Sequence, residues 1–152
     1  MLQKKDVFIS YRNDGIGDSF ADELYHDLDE MGYSVYYSPI EARSNNFPER
    51  LKRTIEMCRD FICVVTESYI RELQENKPTC WVREELLIAN ENDKNIIPLL
   101  INGTTMPTDF NLFPEELQFF PKIDAKVFPK LRTEYKAYPF GELVDRMNSN
   151  PE

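Results

Sequence analysis

Phe61-Ile62-Cys63-Val64-Val65 carries no charged or hydroxyl side chain, and β-branched residues fill three of its five positions. An unbroken apolar run of this kind marks a strand covered on both faces, because a strand with one wet face alternates. Working outward, Pro48 suits the first turn of a helix that places Leu51, Ile55 and Cys58 on one face. On the other side, Ser68 can cap a short helix. Nearer the N-terminus, Val7-Phe8-Ile9-Ser10-Tyr11 reads as a strand closed by the turn Asn13-Asp14-Gly15. Asp18 can cap the next helix, in which Ala21, Leu24, Leu28 and Met31 recur at helical spacing before Gly32 stops it. Tyr33-Ser34-Val35-Tyr36-Tyr37 is a second strand.

Towards the C-terminus, Thr79 is placed to cap a helix beginning at Trp81, and residues 95–101 read as a fourth strand. Pro98 within it lacks an N–H donor and belongs near an edge or bulge. A Pro-punctuated segment over 106–121 leads to a fifth strand at 123–128 and a short helix at 140–147. Strands alternating with helices imply a parallel sheet layered on both faces. Ligands of such sheets bind beyond the carboxyl ends of the strands. The loops after Tyr11, Tyr37 and Val65, and the helix after Thr79, are therefore expected to share one cleft. The organisation is one domain over 1–147, with 148–152 reading as the start of a linker.

Composition narrows the function. The 152 residues carry a formal net charge of −9, which argues against a nucleic-acid partner, since that affinity comes largely from phosphate neutralisation. A small anionic ligand stays open, because a few arginines can reverse the field locally. Cys58, Cys63 and Cys80 form no close-spaced pair and His26 is the one histidine; no zinc site is expected, and the thiols read as buried in a reducing compartment. Residues 1–5 run directly into the first strand without an apolar leader, and no run approaches the ~20 residues that span a bilayer. The expected location is the cytoplasm, away from the membrane.

Thr79-Cys80-Trp81-Val82-Arg83-Glu84-Glu85-Leu86-Leu87-Ile88-Ala89 contains a misplaced acid. At about 100° per residue, Trp81, Glu85, Ala89, Val82 and Leu86 fill one arc of roughly 140°. Glu84 falls on the opposite side with Arg83, Leu87, Asn90 and Glu91. A carboxylate among apolar side chains must find a partner, take up a proton or face a cleft. Such acids mark sites, although a rim glutamate with its stem on Trp81 and its head in water fits the same spacing. Gly15-Ile16-Gly17 after a strand invites comparison with a dinucleotide fingerprint, but Phe20 replaces the third glycine and Asp14 and Asp18 carry the wrong charge for a pyrophosphate. No Ser-His-Asp or Cys-His set is credible, and His26 reads as a helix-surface residue.

Asp6-Val7-Phe8-Ile9-Ser10-Tyr11-Arg12, Gly32-Tyr33-Ser34-Val35-Tyr36-Tyr37, Arg59-Asp60-Phe61-Ile62-Cys63-Val64-Val65-Thr66 with Ser68-Tyr69, Trp81-x-x-x-Glu85 and Asn95-Ile96-Ile97-Pro98-Leu99-Leu100 follow one another over residues 5–102. As an ordered set they resemble the TIR (Toll/interleukin-1 receptor) domain family. The resemblance implies a flavodoxin-like α/β three-layer sandwich with a five-stranded parallel sheet. It also implies a division of function: some members only self-associate as adaptors, and others cleave NAD+ at the nicotinamide–ribose bond and carry the glutamate that Glu85 matches. In the same pattern Phe47 matches the aromatic that closes the ligand cleft, Arg12 the basic residue after the first strand, and Trp81 and Arg43 further substrate contacts. Enzymatic members often have glycine in the loop that here reads Arg43-Ser44-Asn45-Asn46-Phe47.

The expected activity is that of an NAD+ nucleosidase, with ADP-ribose released open or cyclised, switched on by homotypic TIR–TIR association and fused to another domain of an immune, anti-phage or cell-death signalling protein. NAD+ is then substrate, and neither cofactor nor metal is expected. Glycoside hydrolases need one carboxylate to protonate the leaving oxygen, whereas nicotinamide is already a pyridinium and departs neutral. One carboxylate that stabilises the ribosyl cation suffices, in keeping with one well-placed glutamate. Simpler roles exist for the other residues: Trp81 as core packing, Phe47 packing the start of the next helix, Arg12 pairing with Asp14 on the surface. A non-catalytic TIR adaptor and a nucleotide-binding module without turnover are the rival functions.

Overall fold

The computed structural model describes residues 6–37, 47–75, 81–128 and 139–149. The elements in order are β1 (Val7–Ser10), α1 (Gly17–Glu30), β2 (Val35–Tyr37), α2 (Phe47–Met57), β3 (Asp60–Val65), α3 (Glu67–Glu75), α4 (Trp81–Glu91), β4 (Asn95–Leu100), β5 (Lys126–Val127) and α5 (Pro139–Arg146), with three single 3₁₀ turns between Phe110 and Lys122. The strands form one all-parallel sheet in the order β2-β1-β3-β4-β5. This is the flavodoxin-like architecture expected, and its order reverses direction between β1 and β3, where ligands of doubly wound sheets bind.

All six side chains of β3 are buried, because helices cover both of its faces. Period-two alternation sorts the strand residues. Phe8, Phe61, Cys63, Val65 and Ile96 face α2, α3 and α4, whereas Val7, Ile9, Ile62, Val64 and Ile97 face α1 and α5. Phe8 stacks on Phe61 at 5.3 Å between ring centroids and on Tyr36 at 5.2 Å. Each ring so buried contributes about 1.5–3 kcal/mol relative to exposure. Ser10 pairs in register with Cys63 and extends the Phe8 row into the helix-covered layer.

Several local expectations need correction. Met31 lies just past α1 and is exposed, so the buried stripe of that helix ends at Leu28. Asp18 lies inside α1 rather than at its N-cap, which is Ile16 and carries no side-chain cap; Asp14 Oδ1 accepts from the N–H groups of Ile16 and Gly17 in the preceding turn, while Asp18 reaches back to the Gly15 N–H. Thr66, not Ser68, caps α3, accepting from the Tyr69 N–H at 3.2 Å. Pro98 sits in an interior strand; β5 pairs only with Leu99 and Leu100, so Pro98 lies where the β4–β5 ladder has ended. The fifth strand is shortened to two residues. Thr79 and Cys80 lie outside the described residues. The last described residues are fastened to the sheet, with the N–H groups of Asn148 and Ser149 donating to Asp60 at 2.8 Å. No helix among the described residues is long and apolar enough to cross a membrane.

Candidate active site at the carboxyl end of β1

The turn after β1 explains its two glycines without a nucleotide. Gly15 has φ +88°, and a Cβ on Gly17 would meet the Arg12 carbonyl oxygen at 2.6 Å. The first supplies the left-handed turn and the second lets α1 close against the strand end. Asp14 fixes this turn to α3: its Oδ2 accepts from the hydroxyls of Thr66, at 2.8 Å, and Ser68. Burial pushes the Asp14 carboxyl up, but hydrogen bonds from Ser68, Gly17, Thr66 and Ile16 outweigh it and hold the group below its ordinary value.

Two rungs join β1 to α3. Ser10 Oγ lies 2.9 Å from the Tyr69 hydroxyl, and two residues on, just past the end of β1, Arg12 Nη1 lies 3.1 Å from Glu72 Oε1. Residues i and i+2 of a strand share a face, as do i and i+3 of a helix, so 10 and 12 meet 69 and 72 in order. Arg12 is therefore one step nearer the mouth of the sheet than Ser10. It pairs with Glu72 rather than Asp14, and its Nε is buried with no hydrogen-bond partner.

The inner rung continues to α4. Ser10 Oγ donates to Glu85 Oε1 at 2.8 Å. Glu85 is 3% exposed, so the acid inside the apolar arc of α4 is buried, and the rim position is not the one adopted. Its neighbour Glu84 is on the outer side, paired with Arg83 at 2.7 Å, and Arg83 also holds Glu116. Tyr69 is fully buried; burial, reinforced by Cys63 and Glu85 and opposed by the Ser10 hydrogen bond, pushes its hydroxyl well above the ordinary value. Burial likewise pushes the Cys63 thiol up to about 12, against the Tyr69 hydrogen bond and with the Glu85 charge. Both groups keep their protons at neutral pH.

Of the residues singled out from sequence, Glu85, Trp81 and Arg12 fall within the described structure. Trp81 opens α4 one turn before Glu85 and packs, half-buried, against the core. Phe47 begins α2, but its side chain lies outside what is described, as does Arg43. Ser10, Tyr69 and Glu72 were not singled out. Ser10 carried one signal, being the polar member of an otherwise apolar strand; Tyr69 and Glu72 carried none, because their partners lie 59 and 60 positions away. His26 is exposed and faces Asp22 at 3.5 Å on α1, as expected of a helix-surface residue. A shallow cavity of about 230 Å³ also opens beyond β3 and β4, lined by Asp14, Thr66, Ser68, Arg71 and Thr104; Glu85 is not in its wall.

Known proteins resemble this chain. The chain is 32% identical over 127 residues to the NAD(+) hydrolase tir-1 of Caenorhabditis elegans, a match that takes in 82% of this chain and 13% of that protein. It is 30% identical to the NAD(+) hydrolase SARM1 of Danio rerio over 70% of this chain and 16% of the relative, and 27% identical to the NAD(+) hydrolase sarm1 of Drosophila melanogaster over 78% of this chain and 9% of the relative. The chain thus corresponds to a small part of each of these proteins. Among solved structures, a metazoan TIR-STING receptor from C. gigas in complex with 2',3'-cGAMP superposes with a TM-score of 0.61 over 98% of this chain and 42% of that one; at 14% identity it speaks for the fold alone. The family model for the TIR domain matches residues 7–130. Since that match opens on the first residue of β1 and closes just beyond β5, the chain belongs to the TIR domain family.

Proposed function

We propose that this chain is the NAD+-cleaving domain of a larger signalling protein, an NAD+ glycohydrolase that breaks the nicotinamide–ribose bond when copies associate. One observation carries the reading: a carboxylate, Glu85, is buried at the carboxyl end of β1, beside the β1–β3 reversal, and is oriented there by a hydroxyl. Burial of a carboxylate costs stability unless it is compensated, and an adaptor surface has no use for such a group. The 30–32% identical relatives named as NAD+ hydrolases support the same reading.

In this mechanism the bond between ribose C1′ and the pyridinium nitrogen lengthens, and nicotinamide leaves as a neutral molecule. Positive charge collects on the ribose, and Glu85 stabilises it at a site shielded by Trp81. Water or an internal nucleophile of the ADP-ribose then captures the cation, giving the open or cyclised product. Arg12 presents a fork-shaped donor to ribose or phosphate, with Phe47 stacking on a ring and Arg43 contributing from the loop before α2. Fusion to a sensor domain would keep the enzyme quiet until copies are gathered. Association must offset roughly 4–15 kcal/mol of lost freedom, and a net charge of −9 adds repulsion that salt screens.

The test is nicotinamide release from NAD+ over a wide dilution series, with light scattering on the same samples. Specific activity climbing with concentration supports the proposal, and scrambling residues 43–46 should flatten the climb. Turnover independent of dilution from a monomer removes the association switch. No release at any concentration, from protein that does assemble, returns the chain to the adaptor class.

A further inference from the structure

Hydroxyl hydrogens are few enough at this site for their directions to be counted. Ser10 has one, and it goes to Glu85 Oε1. In the 2.9 Å contact between Ser10 and Tyr69 the serine oxygen must therefore accept, and Tyr69 donates. That uses the single Tyr69 hydrogen. The result runs one way: Tyr69 O–H to Ser10 O–H to the Glu85 carboxylate. The two donors come from α3 and β1, elements packed into the same core as β3.

We propose that Ser10 and Tyr69 are positioning residues that aim the Glu85 carboxylate, through a one-way hydrogen-bond chain rooted in the core. The proposal rests on the NAD+-cleaving reading for its kinetic consequence, though the chain itself is testable without it. A side chain on a helix can swing about its χ angles, and misplacement by about 1 Å can reduce a rate about 10²-fold. Pinning Oε1 to a strand removes that freedom. Aligned donors also polarise one another, so the link nearest the carboxylate is strengthened by the link behind it.

The experiment is a set of single and double variants read by kcat, KM, melting temperature and proton NMR. Ser10→Ala removes the last link and should lower kcat about 10–100-fold with KM within about twofold. Ser10→Thr keeps the hydroxyl and should restore most of the rate. Tyr69→Phe leaves Ser10 in place, so the loss should be smaller, about threefold to tenfold. Tyr69 acts only through Ser10, so Ser10→Ala/Tyr69→Phe should be no worse than Ser10→Ala alone, and neither change should matter further in a Glu85→Gln background. Losses that multiply, or that follow melting temperature and KM while kcat per folded molecule stays at the wild-type value, would overturn the positioning role. If Ser10→Ala does not fold, Ser10→Thr against Tyr69→Phe makes the same comparison, since both keep the shape of the site. Independently of activity, the wild type should show a slowly exchanging hydroxyl proton that disappears in Tyr69→Phe and moves in Glu85→Gln. Its absence overturns the chain. Its presence in a wild type that releases no nicotinamide would instead overturn the NAD+-cleaving reading and leave the chain standing.

Discussion

Two carboxylates are buried at opposite ends of the sheet, and they are used differently. Asp60, fully buried at the amino end of β3, accepts from Asn95 Nδ2 at 2.7 Å and from the N–H groups of Asn148 and Ser149 at 2.8 Å. These donors come from β4 and from the segment after α5, so one acid ties the last described residues to the centre of the sheet. Ser149 adds a bond from its hydroxyl to the Asp6 carbonyl at 3.0 Å. Glu85, at the carboxyl end, is approached by a hydroxyl chain that leads inward. A carboxylate satisfied by backbone N–H groups serves the fold. One aimed by side-chain hydroxyls beside the strand ends, where ligands of such sheets bind, is suited to chemistry.

Substitutions can break this comparison. The largest effect should come from Glu85→Gln, which keeps the size of the side chain but removes the charge; turnover should fall about 10²–10³-fold, as when one transition-state contact is deleted. Glu84→Gln, on the outer side of α4 with Arg83, should leave turnover within about twofold. Equal losses from the two, measured by nicotinamide release on folded protein, would refute the assignment.

Asp60→Ala should reverse the pattern. It strands buried donors at a cost of about 3 kcal/mol, which corresponds to roughly 6–12 °C in melting temperature for a domain of this size. Activity per folded molecule should not change, and a thermal melt beside an activity assay decides it. Arg12→Gln comes next, with KM rising about tenfold through loss of a charged donor and kcat nearly constant; a loss confined to kcat would place Arg12 with the chemistry instead.

The smallest effect belongs to Asp14→Ala, which removes the hydrogen bonds that hold the turn before α1 and should cost about 1 kcal/mol near neutral pH. The Asp14 carboxyl lies below its ordinary value of 3.8 when folded. Its ionised form is therefore the one the fold favours, and the stabilisation is complete above 3.8 and lost as pH falls through the lower folded value. The gap between wild type and variant, followed by denaturant melts, should close in that acid range. A gap that persisted there would mean that Asp14 acts by packing.

The layers of the molecule were legible where the signal was periodic. The unbroken run 61–65 announced a doubly covered strand, and the apolar arc of α4 marked Glu85 as misplaced while leaving a rim position open; both are local patterns read within a dozen residues. Caps were misassigned, Asp18 at a helix whose N-cap is Ile16 and Ser68 in place of Thr66, because several hydroxyls and carboxylates crowd each turn and tertiary contact chooses among them. Partnerships across the chain were not legible. Ser10 meets Glu85 75 positions away and Asp60 meets Ser149 89 positions away, and no spacing rule reaches that far. Arg12 was singled out as a basic residue after the first strand, but its Glu72 partner depends on how α3 is rotated, which the sequence pattern leaves open.

Trp81, the one tryptophan among 152 residues, opens α4 a single turn before Glu85, so the chain carries one indole fluorophore and carries it beside its candidate site. Light absorbed selectively by that ring reports from a single location, with no correction for distant tryptophans. A bound ligand, a docked protein and local melting of α4 would each alter the surroundings of the same ring, and emission colour, polarisation and lifetime would separate them. The native protein can therefore be followed optically without a label.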